Sequence, residues 1–153
     1  MMNKNVKLIV LIISIIFSTA QLNAQGSTDE IINEFFKTYE KSPEKAVDFA
    51  FGTNKWMMDR KKDAVENVKS QLTSFIGLVG KYYGYEKITE KGVGKSFKLV
   101  SYMLKYDRQP VRFTFVFYKP NDKWQVQNFQ YDDSLDDELE ESGKVYRLKE
   151  NWE

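Results

Sequence analysis

Four tyrosines and two aspartates, Tyr85, Tyr102, Tyr106 and Tyr131 with Asp107 and Asp132, are the side chains of this 153-residue chain best suited to proton transfer. A carboxylate drawn out of water serves as a general base, and a tyrosine hydroxyl polarises a carbonyl. These types carry weight because the chain has no histidine and no cysteine. Ser-His-Asp and Cys-His nucleophiles are therefore excluded, as are thiolate and imidazole zinc sites. Each group also has a structural reading. Asp107 stands in a turn, where aspartate bonds local backbone, and Asp132 closes a strand. Tyrosines of this kind more often fill a core or its rim.

Two polar residues occupy positions whose neighbours in phase are apolar. Ser101 shares parity with Phe97 and Leu99, and Asn128 with Trp124 and Val126. Unless a bulge absorbs them, they point inward and need partners, which a ligand supplies in a pocket. Trp56 lies with Met57 and Met58 in a connection that must pack over something, and is read as a lid or a core plug. Trp56, Tyr85, Ser101, Tyr102 and Asn128 are thus the candidate ligand-binding set. No residue is assigned a catalytic role, and neither a metal nor a cofactor is expected. Gly92-Val93-Gly94-Lys95 lies between two strand-like runs with no helix after it, so it reads as a hairpin turn rather than a phosphate loop. Asp132 to Glu141 holds seven acids in ten residues, without the spacing of a calcium loop, and reads as a solvated tail. Leu135 and Leu139 permit a short docked helix within it. Lys55, Arg60, Lys61 and Lys62 are the expected ionic partners of that tail.

Residues 1 to 24 have the three parts of an export signal: Lys4 and Lys7, an apolar stretch from Leu8 to Phe17, and a small-residue exit ending at Ala24. Cleavage after Ala24 is expected, with Ala20 as the other fitting site. The apolar stretch is well short of the roughly twenty residues that span a bilayer, so no stable membrane anchor is expected after cleavage. The protein is accordingly expected to be exported, either periplasmic or secreted. Disulfides are the usual staple of small exported domains, but without cysteine stability must come from core burial. The chain carries 23 Lys and Arg against 22 Asp and Glu, which gives no electrostatic footprint for nucleic acid.

The elements that position these residues fall into a helical half and a strand half. Ser27 and Glu30 form a capping box before Ile31, Ile32, Phe35, Phe36 and Tyr39, predicting a helix to about Lys41. Ser42-Pro43-Glu44 restarts a helix that buries Ala46, Val47, Ala50 and Phe51 and stops at Gly52. A third helix is predicted from Asp63 to Val79. From Tyr82 the period changes to two, predicting strands near 83–91, 96–106, 111–119 and 123–132 in an antiparallel meander. Parity slips in the second and fourth strands suggest two β-bulges and hence a sheet that curls around the helices. Apolar cover on both faces of those strands is the other explanation. The expected architecture is α+β: a signal peptide, then three N-terminal helices packed on a curved, cone-like four-stranded antiparallel sheet. The domain covers 25–132, and 133–153 forms the acidic tail.

Helices followed by a long meander with the aromatic runs Phe113-Thr114-Phe115-Val116-Phe117-Tyr118 and Trp124-Gln125-Val126-Gln127-Asn128-Phe129 resemble the nuclear-transport-factor-2-like and cystatin-like α+β folds, over roughly residues 28 to 132. The resemblance implies a pocket between sheet and helices. Enzymes of that superfamily commonly place an aspartate, histidine or tyrosine there, and this chain lacks the histidine. The expected function is an exported, soluble, non-catalytic module binding a small molecule or a protein partner. The alternative is a small isomerase, dehydratase or hydrolase with an Asp-Tyr pocket. Arg112, Thr114, Val116 and Tyr118, the outward parity of the third strand, offer a sheet face for a homodimer.

Overall fold

The structure, a computed structural model, describes residues 26 to 150. The export signal read from residues 1 to 24 lies outside that range. The described residues form five helices and four strands: α1 (Thr28–Tyr39), α2 (Pro43–Gly52), α3 (Lys55–Arg60), α4 (Lys62–Val79), β1 (Tyr82–Val93), β2 (Phe97–Tyr106), β3 (Val111–Tyr118), β4 (Gln125–Asp132) and α5 (Leu135–Glu150). The chain is α+β, with its strands in one antiparallel sheet of order β1-β2-β3-β4. Among the described residues four helices, not three, precede the sheet, and a fifth of 16 residues follows it. No helix among the described residues is long and apolar enough to cross a membrane.

Local chemistry explains the helix starts. Ser27 Oγ accepts from the Glu30 N–H at 3.1 Å while the Glu30 carboxylate accepts from Gly26 and Ser27, so the orphan donors of α1 are paired reciprocally. Ser42 caps α2, with Pro43 at the first helical position. The connection from Thr53 to Arg60, expected to be a loop, contains α3. Its N-cap is Asn54, whose Oδ1 accepts from the Met57 N–H at 3.4 Å. The same side chain donates through Nδ2 to the Val126 carbonyl at 3.1 Å, and Thr53 Oγ1 accepts from the Val126 N–H at 2.9 Å. The outer edge of β4 is thus closed at that residue by two side chains from the helical half.

Strand register settles the parity slips. β4 carries a bulge: Val116 pairs with Asn128 but Phe117 pairs with Val126, leaving Gln127 as the extra residue. That brings Val126, Phe129 and Tyr131 to one face. The slip in β2 is not a bulge, because β2 and β3 pair without a break from Phe97 to Leu104. Phe97 and Leu99 instead lie on the face turned away from the helices. Two further bulges interrupt β1, one beside Gly84, whose φ of +115° only glycine adopts readily, and one at Ile88. The sheet's inner face is aromatic. Phe35 of α1 meets Phe115 edge-on at 4.9 Å and Phe129 at 5.6 Å, and Phe36 stacks on Tyr85 at 3.7 Å.

Candidate functional site

The interior between sheet and helices is filled. Phe35, Phe36, Phe113, Phe115 and Phe117 are all fully buried there, and the buried polar residues among those described are Thr28, Asn54 and Ser101. No carboxylate is buried among the described residues. The open space lies beside the core, where the polar flank of α1 faces the end of α2 and the turn between β3 and β4. Glu30, Ile31, Asn33, Glu34 and Lys37 of α1, Phe49 and Thr53 around the end of α2, and Lys123 and Trp124 line a cleft of about 630 Å³.

Each wall has a local cause. The side chains of α1 arrive from the flank of its buried stripe, and Ile31 serves both core and cleft. Phe49 lies outside the stripe that buries α2, so its ring is left partly exposed at the cleft. Trp124 sits at the end of a tight turn whose Asn121 Oδ1 accepts from the Lys123 N–H at 3.1 Å. Two ammonium groups flank its indole, Lys119 at 5.2 Å and Lys98 at 5.9 Å from the ring centroid. Lys98 is also held by Glu90 at 2.6 Å and donates to Thr28 Oγ1 at 3.2 Å.

The charges of the cleft are unequally engaged. Glu30 is consumed by the capping box, and the Gly26 and Ser27 N–H groups hold its carboxyl below the usual range. Glu34 pairs with Lys37 at 3.2 Å. Lys119 and Lys123 make no ion pair among the described residues. The cleft therefore offers an aromatic floor with Lys123 in its wall and Lys119 beside its indole, and the lowered Glu30 carboxyl is poorly suited to accept a proton at neutral pH.

The residues singled out from the sequence are not gathered at this cleft. Tyr85 and Tyr102 are brought together on the inner face, both against Phe36. Ser101 and Asn128 lie on the opposite face. Ser101 is buried there and shares a 3.0 Å hydrogen bond with Thr114, while Asn128 stands opposite Val116. Trp56 is exposed on α3 with the Lys61 ammonium 5.8 Å over its ring. Asp107 accepts from the Lys81 N–H at 2.9 Å, and the Tyr83 hydroxyl and that N–H lower its pKa at a fully exposed site. Asp132 is gripped by Arg112. The acidic segment pairs with Arg112 through Glu138 rather than with the cations around α3.

A second polar cluster sits at the β1 end of the core. The Tyr39 and Tyr106 hydroxyls are 2.5 Å apart, and the buried Tyr82 hydroxyl has no hydrogen-bond partner. Burial raises the pKa of all three, so they stay protonated at neutral pH. Among the described residues no group of three or more acidic side chains is placed to hold a metal ion.

The cleft was missed in the sequence because Trp124 served there only as a strand-parity marker. Its signal was nonetheless present: a tryptophan at the close of a turn carrying Lys119 and Lys123, and a phenylalanine, Phe49, out of phase with its helix's buried stripe. No family model, curated protein or solved structure matches the chain.

Proposed function

We propose that this protein is an exported, non-catalytic binding module whose ligand enters the cleft between α1, the end of α2 and the β3–β4 turn. The carrying observation is Trp124, a partly exposed indole flooring an apolar cleft between two lysines. Concave, mostly apolar sites with a few placed polar groups are the usual form of small-molecule sites. Lys119 over the indole and Lys123 in the wall, neither in an ion pair among the described residues, favour a ligand with a flat apolar body and an anionic group. The nuclear-transport-factor-2-like and cystatin-like assignment is part of this reading. It is supported by helices preceding a four-stranded meander, and the bulges in β1 and β4 favour a sheet curled toward the helices. An Asp-Tyr enzyme is the weaker reading, since the described core holds no carboxylate and the pair Tyr83 and Asp107 stands in solvent.

Anilinonaphthalene sulfonate, a flat aromatic anion, is a direct probe. Binding followed by its fluorescence and by calorimetry is expected to saturate at one site and to fall at least ~tenfold in Trp124→Ala, the loss typical of a central aromatic anchor. Trp56→Ala should leave it unchanged. Equal binding by wild type and Trp124→Ala, with unaltered thermal unfolding, would remove the cleft from consideration.

A further inference from the structure

We propose that the corner between α3 and α4 docks this protein reversibly on an anionic bilayer surface, with Trp56 at headgroup depth and the neighbouring cations against lipid phosphates. The corner follows from how α3 is seated. Met57 and Met58 pack against the core, which leaves Lys55 and Trp56 exposed, together with every residue from Asp59 to Ala64. Trp56 is 54% exposed, an indole that the fold leaves in water. Arg60 stands one helical turn from it, and the Lys61 ammonium lies 5.8 Å from its ring centroid.

The fold does not call for these charges. Lys55, Arg60, Lys61 and Lys62 make no ion pair among the described residues. Lys61 and Lys62 open α4, where positive charge opposes the helix dipole, and Lys61 supplies no side-chain cap. The acids expected as their partners lie elsewhere, with Asp132 and Glu138 both on Arg112. Asp132 ends β4 roughly 23 Å from Gln125, at 3.3 Å per residue. The corner belongs to the Gln125 end, because Thr53 and Asn54, just ahead of α3, are bonded to Val126. Even with the length of α3, roughly 9 Å, taken off, the separation exceeds the screening length of about 8 Å at physiological salt. The acidic segment therefore leaves the corner's charge uncancelled. Lys119 and Lys123 stand on the turn at the same end, which gathers six cations against the three acids Asp59, Asp63 and Asp122.

A bilayer suits this patch better than a folded partner. Trp56 is the one large apolar side chain exposed between Lys55 and Ala64, too little for the buried apolar centre of a protein interface. An indole among lysines is instead the composition of interfacial segments. The ring settles at headgroup level with its N–H wet, and each cation gains from the negative surface potential. Five of the six cations are lysines, flexible point charges that suit a diffuse layer of phosphates, whereas arginine's fixed fork suits a single placed carboxylate.

Flotation with vesicles of phosphatidylcholine and phosphatidylglycerol, against vesicles of phosphatidylcholine alone, tests the surface. The full chain without residues 1 to 24 should bind the anionic vesicles at least ~tenfold more tightly, and high salt should release it. Lys61→Glu with Lys62→Glu should remove at least ~tenfold of that affinity. Because acidic residues favour the start of a helix, thermal unfolding of that variant should not fall, which separates lost docking from lost folding. Trp56→Ala should weaken vesicle binding severalfold while anilinonaphthalene sulfonate still binds in the cleft. Failure to bind the anionic vesicles overturns the proposal, as does equal binding to both kinds or binding indifferent to the three substitutions. Soluble polyglutamate bound as tightly as the vesicles also overturns it, and would mean that the corner receives an acidic protein segment.

Discussion

The two faces of the sheet are built from alternate residues of the same strands and have opposite fates. On β3, Val111, Phe113, Phe115 and Phe117 are buried beneath the helices, while Arg112, Thr114 and Val116 between them stay half-exposed. Both faces contain apolar residues, so composition alone does not separate them. Cover does. Helix α1 lays Phe35 and Phe36 onto the inner face, and no described element does the same for the outer one. The largest test of this contrast uses adjacent residues. Phe115→Ala removes a ring packed against Phe35, Phe117 and Phe129 and should cost about 3–5 kcal/mol, the range for a large aromatic deletion in a closed core. Val116→Ala should cost at most about 1 kcal/mol, because its side chain keeps much of its water. Urea unfolding of both variants checks the pair, and similar losses would mean that the outer face is as well covered as the inner.

How far the fold could be read from sequence follows the same division. Helices α1, α2 and α4 and strand β3 were legible because each carries a one-sided apolar period that only one geometry satisfies, and β1, β2 and β4 were legible from strand-like runs at hairpin spacing. The six-residue α3 was not, since so short a helix has no full period to display and its Asn54 cap looks like a loop residue. Parity in β4 was legible as a bulge, but the same kind of slip in β2 was a change of face. A change from Leu99 to Val100 cannot distinguish an inserted residue from apolar residues on both sides, because pairing with β3 is what decides. The candidate site suffered most. Ser101 and Asn128 were singled out for a polar type in an apolar phase; the phase of Ser101 is the outer face, and the bulge at Gln127 turns Asn128 to that face while Val126 points inward. The cleft depends on Phe49, Trp124 and the flank of α1, which are distant in sequence and converge only in the folded chain.

A middle-sized effect is expected where the sheet's edge meets the helices. Asn54 both caps α3 and satisfies the Val126 carbonyl, so Asn54→Ala removes a cap and leaves a buried acceptor unpaired, about 2–3 kcal/mol together. Asn54→Ser separates the two roles. Its hydroxyl keeps an oxygen for the Met57 N–H, as serine does at an N-cap, but is too short to donate to the Val126 carbonyl, and should recover only the cap's share, about 1 kcal/mol. Full recovery in thermal unfolding would mean that the β4 edge needs no closure from the helical half.

The smallest effect belongs to the inner face where helical cover runs out. Toward the β1 edge the inward parity turns from aromatic to charged: Lys87, Glu90 and Lys98 replace the rings, and Glu90 pairs with both lysines. Hydrogen bonds from Lys87 first and Lys98 second lower its carboxyl to about 2, from an ordinary value of 4.5. A carboxylate depressed on folding contributes stability above the unfolded value and loses it as the pH falls. The contribution of Glu90 should therefore be intact above pH 4.5 and decline between 4.5 and about 2. Its side chain is 34% exposed, so solvent screening limits the contribution to under about 1 kcal/mol. Glu90→Gln should lower stability slightly at neutral pH, and its unfolding curve should converge on that of the wild type as acid is added. If the difference instead persisted unchanged to pH 2, the charged fringe would be acting by packing, and the inner face would extend under cover to the β1 edge.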